Sequence, residues 1–271
     1  MAQVINTNVA SLNAQRNLLS SKGDLSQALQ RLSSGLRVNS AKDDAAGLAI
    51  AERMKSQSMG MNVGIRNAND GISMMQTAEA GLGVMAGHLQ RMRELATQAS
   101  SGQYSDTDRS KLDAEFQQLQ SEVARVATST KFNGKAIIAG SAGSYTFQVG
   151  AANATTDQIS ATTSDLSTVY SGSAIATSAG AVSAMDALST AIDTLNTSRA
   201  NLGSYQSRFE GVISALSASV ENTDAARSRI MDTDYAAETA KLSRAQILQQ
   251  AGTAMLAQAN ALPQNVLSLI Q

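Results

Sequence analysis

Apolar residues recur at helical spacing along most of the chain. In the first 35 residues, Ile5, Leu12 and Leu19 repeat at step seven. Leu18, Leu25 and Leu32 repeat at the same step, one position earlier in the repeat. A slowly drifting stripe of this kind is what a helix of 3.6 residues per turn needs. Near the other end, Ala245, Gly252, Ala259 and Val266 form a column at step seven. Leu248, Met255, Leu262 and Leu269 form a second column three residues on. The spacing predicts the a and d positions of a heptad, with Leu242, Leu256 and Ile270 widening the stripe.

Three more helical segments lie between these ends. From about 43 to 100, one column runs Met54, Met61, Ala68, Met75, Leu82, Leu89, Ala96. From about 106 to 128, Leu112, Phe116, Leu119, Val123 and Val126 alternate steps of four and three, with Ser105 or Asp106 as N-cap. From about 181 to 223, Leu188, Leu195, Leu202, Phe209 and Leu216 form an unbroken column. Arg199 and Gln206 fall in the second column of that helix and are expected to fix its register.

Only residues 130–150 look like β-structure. Asn133–Gly134 is a turn pair, and Tyr145, Phe147 and Val149 alternate as a strand does. The pattern predicts a hairpin across Gly140–Gly143. Residues 151–180 are rich in Ser, Thr, Ala and Gly, and read as a surface connection with little core of its own. The expected fold is mainly α: a long helical bundle with a small β-hairpin, plus a terminal two-helix coiled coil. Residues 1–42 and 229–271 supply the coiled coil. Residues 43–228 supply the bundle, with the hairpin near 130–150 and the short connection at 151–180.

Composition sharpens this picture. Aromatics are only 3% of the chain and Trp is absent, which suits long thin packing filled by Ala, Leu, Ile and Met. The single Pro, Pro263, leaves room for very long helices. Charged residues are 16% of the chain, well below the roughly 25% usual for soluble domains. No charge precedes Arg16, and none occurs in 246–271. The outer heptad positions of that tail are mostly Gln, Asn, Ser, Thr and Ala, so the outer face is expected to be buried too. Gln and Asn interrupt the tail too often for a membrane span. A net charge of −1 gives no reason to expect nucleic acid or an anionic membrane as partner. The N-terminus lacks a basic n-region and an apolar h-region, so no secretory signal peptide is expected.

Candidate chemistry is sparse. Asp43 and Asp44 are adjacent and point apart on a helix, so they cannot share a substrate atom; they read as the start of the long helix. His88 is the only His and Cys is absent, which leaves no converging metal ligands and no nucleophile–base pair. Gly81, Gly83 and Gly87 follow no strand and are not a phosphate loop; close helix packing is their expected use. No enzyme activity and no cofactor are expected. On the second helix, Arg91, Leu95 and Gln98 are assigned to the face opposite Leu89 and Ala96, which by pattern alone reads first as an ordinary solvated face and second as an outer contact site.

Four stretches resemble bacterial flagellin. They are QRLSSGLRVNSAKDDAAGLAIAERM (30–54), LQRMRELATQAS (89–100), KFNG (131–134) and ARSRIMDTDYAAETAKLSRAQILQQAGTAMLAQANALPQNVLSLIQ (226–271). The resemblance covers roughly residues 1–150 and 181–271. Many flagellins carry large outer domains where this chain has only the connection, so it resembles a short form.

The resemblance implies a self-assembling filament subunit for swimming. Its terminal helices would pair to line the filament core, using Ile5, Leu12, Leu19, Leu248, Met255, Leu262, Val266 and Leu269. It also implies export through the flagellar type III apparatus with an export chaperone on the C-terminal helix. Further partners would be the filament cap and hook-junction proteins, and the location would be the extracellular filament. In related flagellins, the segment around Arg91, Leu95 and Gln98, with Glu115 on the next helix, contacts Toll-like receptor 5 and packs between subunits. A hook–filament junction protein is the alternative built on similar terminal helices.

Overall fold

The computed structural model describes residues 7–140, 143–172 and 174–267, with side chains through residue 261. Ile5 and Leu269 lie outside the described residues. Leu262 and Val266 fall in a described helix, but their side chains are outside the described set.

Five helices carry the fold: α1 (Val9–Ser34), α2 (Ala45–Ser100), α3 (Asp106–Ser129), α4 (Ser178–Met231) and α5 (Tyr235–Leu267). Four short strands sit between α3 and α4: β1 (Lys131–Phe132), β2 (Lys135–Ala136), β3 (Ser144–Gln148) and β4 (Gln158–Thr162). The chain forms two compact units. One comprises Met1–Ser56 with Asn222–Gln271, the other Gln57–Glu221.

In the unit 57–221, segments of α2, α3 and α4 share one core. The α2 column Met61, Ala68, Met75, Leu82, Leu89 and Ala96 is buried throughout. Leu188, Leu195, Leu202 and Phe209 of α4 and Phe116, Val123 and Val126 of α3 are buried with it. Arg199 and Gln206 of α4 both reach Glu79 of α2, Gln206 by a 3.1 Å hydrogen bond and Arg199 as an ion pair at 3.8 Å. Two polar groups about two turns apart on α4 thus meet one carboxylate, which sets the register of the two helices.

The turn from α2 into α3 is held by Arg109, which is buried. Its guanidinium donates to the Ala99 carbonyl at 2.8 Å, the Ser101 carbonyl at 3.0 Å and the Asp106 carboxylate at 2.9 Å. One fork therefore satisfies carbonyls that the end of α2 would otherwise leave open. Ser105 is the N-cap of α3, accepting from the Asp108 amide.

The strands differ from expectation. Asn133 (φ 47°) and Gly134 (φ 77°) form the left-handed pair of a two-residue turn, so β1 and β2 are the hairpin at that site. No hairpin across Gly140–Gly143 is seen among the described residues. Instead β3 pairs antiparallel with β4, Phe147 opposite Ile159 and Tyr145 opposite Ala161. The connection 151–180 also contributes to the shared core: Ile159, Ala161, Leu166, Tyr170 and Ile175 are all buried in it. Its apolar residues are few but alternate in Gln158–Thr162, and the rest of the segment is pinned by specific bonds. The Ile175 amide donates to the Asp113 carboxylate at 2.7 Å. Tyr170 meets Phe116 edge-on at 5.7 Å, and burial together with the Asp113 charge pushes its hydroxyl up to about 12.

Phe209 ties the layers of this unit. It is fully buried, stands edge-on to Phe147 of β3 at 5.3 Å, and lies over Gly71 of α2, where a Cβ would come within 2.9 Å of the ring. Phe209→Ala should therefore destabilise this unit by about 3–5 kcal/mol, read from urea unfolding followed by circular dichroism. Thr168→Ala, on an exposed turn, should shift it by less than about 0.5 kcal/mol.

Candidate functional site

The unit formed by the chain ends is a helix pair. Asn8 meets Ala259, Ser11 meets Asn260, Arg31 meets Glu238 and Leu36 bridges Asp232. Low numbers pair with high ones, so α1 and α5 run antiparallel. The seam of α1 is Ser11, Ala14, Leu18, Ser21, Leu25, Ala28 and Leu32; that of α5 is Glu238, Leu242, Ala245, Gln249, Gly252, Leu256 and Ala259. Leu18 sits directly against Gly252.

This corrects the heptad assignment. Ala245, Gly252 and Ala259 form one seam column as expected, but its partner column is Leu242, Gln249, Leu256. Leu248 and Met255 lie beside the seam and are 49% and 64% exposed. On α1, Leu18, Leu25 and Leu32 face the seam while Leu12 and Leu19 point away, 50% and 73% exposed. The physical reason is width. Small residues at 245, 252 and 259 let the helices approach closely along one line, and Leu242 and Leu256 already flank that line. Val9 and Ile247 are exposed as well, so α1 and α5 each keep apolar surface outside the pair.

Polar groups lock the seam at both ends. Glu238 is buried and takes a 2.9 Å bond from Lys241, with Arg31 at 3.9 Å. The helical pattern carried a signal for it, because Glu238 stands one turn before Leu242 on the seam. At the other end, the Asn8 side chain acts twice. Its Oδ1 caps α1 by accepting from the Ser11 amide at 3.1 Å, and its Nδ2 donates to the Ala259 carbonyl at 2.7 Å. That carbonyl is available because Pro263, four residues on within α5, has no N–H to offer it. Ser11 Oγ adds a 2.8 Å bond to Asn260.

Asp43 and Asp44 are turn-formers. Asp43 accepts from the Ser40 hydroxyl and from the Ser40 and Asn39 amides, and these bonds, the hydroxyl first, hold its carboxyl below the ordinary 3.8. Asp44 accepts from the Gly47 amide at 2.8 Å at the start of α2. A depressed carboxylate helps order its turn at neutral pH and loses that effect as pH falls through the lowered value. The 39–44 turn should therefore keep its amide protection at pH 5 and begin to lose it only below 3.8, as pH falls toward the lowered value. Asp43→Asn should remove that acid transition in pH-dependent hydrogen exchange.

The second candidate patch lies on α2 and α3. Arg91 Nε donates to Glu115 at 3.0 Å and its NH1 to Glu94 at 2.9 Å. Both bonds hold the guanidinium charged, Glu115 contributing most. All three side chains remain about half exposed or more. Gln98 is exposed and donates to the Tyr104 hydroxyl at 3.0 Å. Gln98 and Glu94 also line an open groove of about 570 Å³ with Gln90, Arg93, Thr97 and Ile192.

Leu95 does not belong to that outer face: it is 1% exposed, inside the core. At about 100° per residue, Leu95 lies only roughly 40° from Ala99 and roughly 60° from Met92 around the helix, both fully buried. A helix packed by α3 on one side and α4 on the other buries a wide stripe, and Leu95 is its edge. Gly81 does allow close approach, to Thr130 and Ile138, whereas Gly83 and Gly87 have nothing within 4 Å. Among the described residues, no group of three or more His, Cys, Asp or Glu is placed to hold a metal. No described helix is long and apolar enough to cross a membrane.

The two units, one a pair of terminal helices and the other a helical bundle with small strands, make a mainly helical structural protein. The family model for the bacterial flagellin N-terminal helical region matches residues 5–143, and that for the C-terminal helical region matches 185–270. Flagellin of Halalkalibacterium halodurans is 41% identical over 99% of this chain and 100% of its own length. Flagellin of Xenorhabdus nematophila is 41% identical over the full length of both. The crystal structure of Bacillus cereus flagellin superposes with a TM-score of 0.52 at 30% identity, covering 56% of this chain and 88% of that one. The chain belongs to the bacterial flagellin family and is a structural subunit of the flagellar filament.

The buried position of Leu95 has a direct test. Leu95→Ala should destabilise the folded chain by about 2–5 kcal/mol, and Gln98→Ala by less than about 0.5 kcal/mol. Urea midpoints of the two variants compare them.

Proposed function

We propose that the chain polymerises by burying the outer flanks of its terminal helix pair against further copies. One observation carries this: Val9, Leu12, Leu19, Ile247, Leu248 and Met255 are apolar and 49–73% exposed in the single chain. Large apolar side chains left exposed on both helices of a pair mark an association site. The inner coiled-coil domain is drawn from 1–42 and 229–271, and the sequence pattern adds Ile5, Leu262, Val266 and Leu269 to the residues proposed for assembly. The role is structural rather than enzymatic. Full-length identity to flagellins favours the filament subunit over the junction alternative. The likeness to a structure titled a putative flagellar hook-associated protein of Vibrio parahaemolyticus (TM-score 0.60, 11% identity, 70% of this chain and all of that one) concerns the fold alone.

Export through the flagellar type III apparatus, a chaperone on the C-terminal helix, and contacts with cap and hook-junction proteins complete the reading. They place the filament outside the cell. The motif 89–100 supports recognition of the monomer by Toll-like receptor 5, through Arg91, Gln98 and Glu115. Leu95 acts there as a core residue that holds Arg91 and Gln98 in place.

Deleting 246–271 should abolish polymerisation while the unit 57–221 stays helical. Leu248→Asp and Met255→Asp should leave monomer circular dichroism unchanged and prevent sedimentable filaments, because an unpaired buried charge costs several kcal/mol. Thr168→Asp and Thr177→Asp should assemble normally. Filaments of ordinary length from Met255→Asp chains would sink the buried-flank reading. For the receptor, a folded Arg91→Ala, Gln98→Ala double variant should lose most reporter-cell signalling, and full potency would overturn that assignment.

A further inference from the structure

The chain has 11 methionines, and their environments differ sharply. Met61, Met74, Met75, Met85 and Met92 are at most 5% exposed. Met54, Met185 and Met231 are half-buried. Met59 and Met255 stand apart at 61% and 64% exposed. Met255 lies on the apolar flank of α5, one heptad after Leu248, and Met59 sits one turn before the exposed Val63 of α2. Thioether oxidation follows access, so two sites are open to a small oxidant while at least five are closed.

We propose that Met255 is an oxidation switch on assembly: peroxide converts it to the sulfoxide in the free chain, and the sulfoxide bars that chain from the polymer. In the reaction, the Met255 Sδ lone pair attacks one peroxide oxygen. The S–O bond forms and the O–O bond breaks. The thioether is oxidised by two electrons, the peroxide is reduced by two, and the departing hydroxide takes the remaining proton to leave as water. The product carries a strong acceptor on a side chain that had only a weak one. Burying that group without a donor opposes association; Leu248, one heptad earlier on the same flank, has no side-chain donor to give, and Gln258, one turn on, carries the nearest side-chain amide along the helix. The switch rests on the filament reading, since it needs the α5 flank to be covered by another copy. Met59 provides the contrast, an equally open thioether on the other compact unit.

The test treats monomer and seeded polymer separately with hydrogen peroxide and maps each methionine by peptide mass spectrometry. In the monomer, Met59 and Met255 should oxidise at least about tenfold faster than Met75, Met85 and Met92. In the polymer, Met255 should slow by about tenfold or more. Oxidised monomer should assemble poorly and recover after treatment with methionine sulfoxide reductases. Peroxide-treated Met255→Leu should assemble as untreated chain does, whereas peroxide-treated Met59→Leu should still fail. Equal Met255 oxidation rates in monomer and sedimented polymer would overturn the switch and leave filament formation standing. Normal assembly of chain fully oxidised at Met255 would do the same. Failure of untreated chain to polymerise on seeds would overturn the filament reading, and the switch with it.

Discussion

Two helices can bury only one line of each other. That limit governs the unit formed by α1 and α5: a seam of Ala, Gly, Ser and Leu closes between them, and more than half of each helix stays outside. The apolar residues left there, Leu12 and Leu19 on one helix and Leu248 and Met255 on the other, follow from geometry rather than from a fault of packing. Where a third helix and a folded connection are present, the limit lifts. In the unit 57–221, α2 is covered from two sides, its buried stripe widens, and a flanking position such as Leu95 becomes interior. The same sequence logic thus gives an exposed Leu248 in one unit and a buried Leu95 in the other.

Much of this was legible in the heptad columns. The α2 run from Met61 to Ala96 and the α4 run from Leu188 to Phe209 could be placed in the core by counting alone, because a column that stays apolar over many turns has few other uses. Arg199 and Gln206 were recognisable as register-setting groups for the converse reason, as polar residues in an apolar stripe. What could not be read was which of two plausible columns pairs across a seam. Leu248 and Met255 look better suited to a d position than Leu242, Gln249 and Leu256, yet the spacing of the small residues decides. The β3–β4 pairing was hidden for a different reason. Gln158–Thr162 alternates with only Ile159 and Ala161 on its inner side, a signal too weak to separate from low-complexity sequence until Tyr145 and Phe147 are set opposite.

Charge is used sparingly and locally. Arg109 closes the α2–α3 turn, Glu79 gathers Arg199 and Gln206, and Glu238 sits between Arg31 and Lys241. Each holds a boundary or a register rather than contributing bulk stability, in keeping with the small net worth of most ion pairs. The apolar residues outside the terminal pair's seam are bordered by exposed Arg16, Lys22 and Arg244. Association across them is therefore expected to scale with apolar area, with an ionic-strength dependence contributed by those cations.

The bond from Asn8 to the carbonyl that Pro263 leaves free also has a bearing on time. Synthesis delivers the donor among the first residues and the acceptor some 251 positions later. Throughout elongation at about 5–20 residues per second, α1 therefore has no partner to meet. The pairing of α1 with α5 thus has to wait until nearly all of the intervening chain has been made.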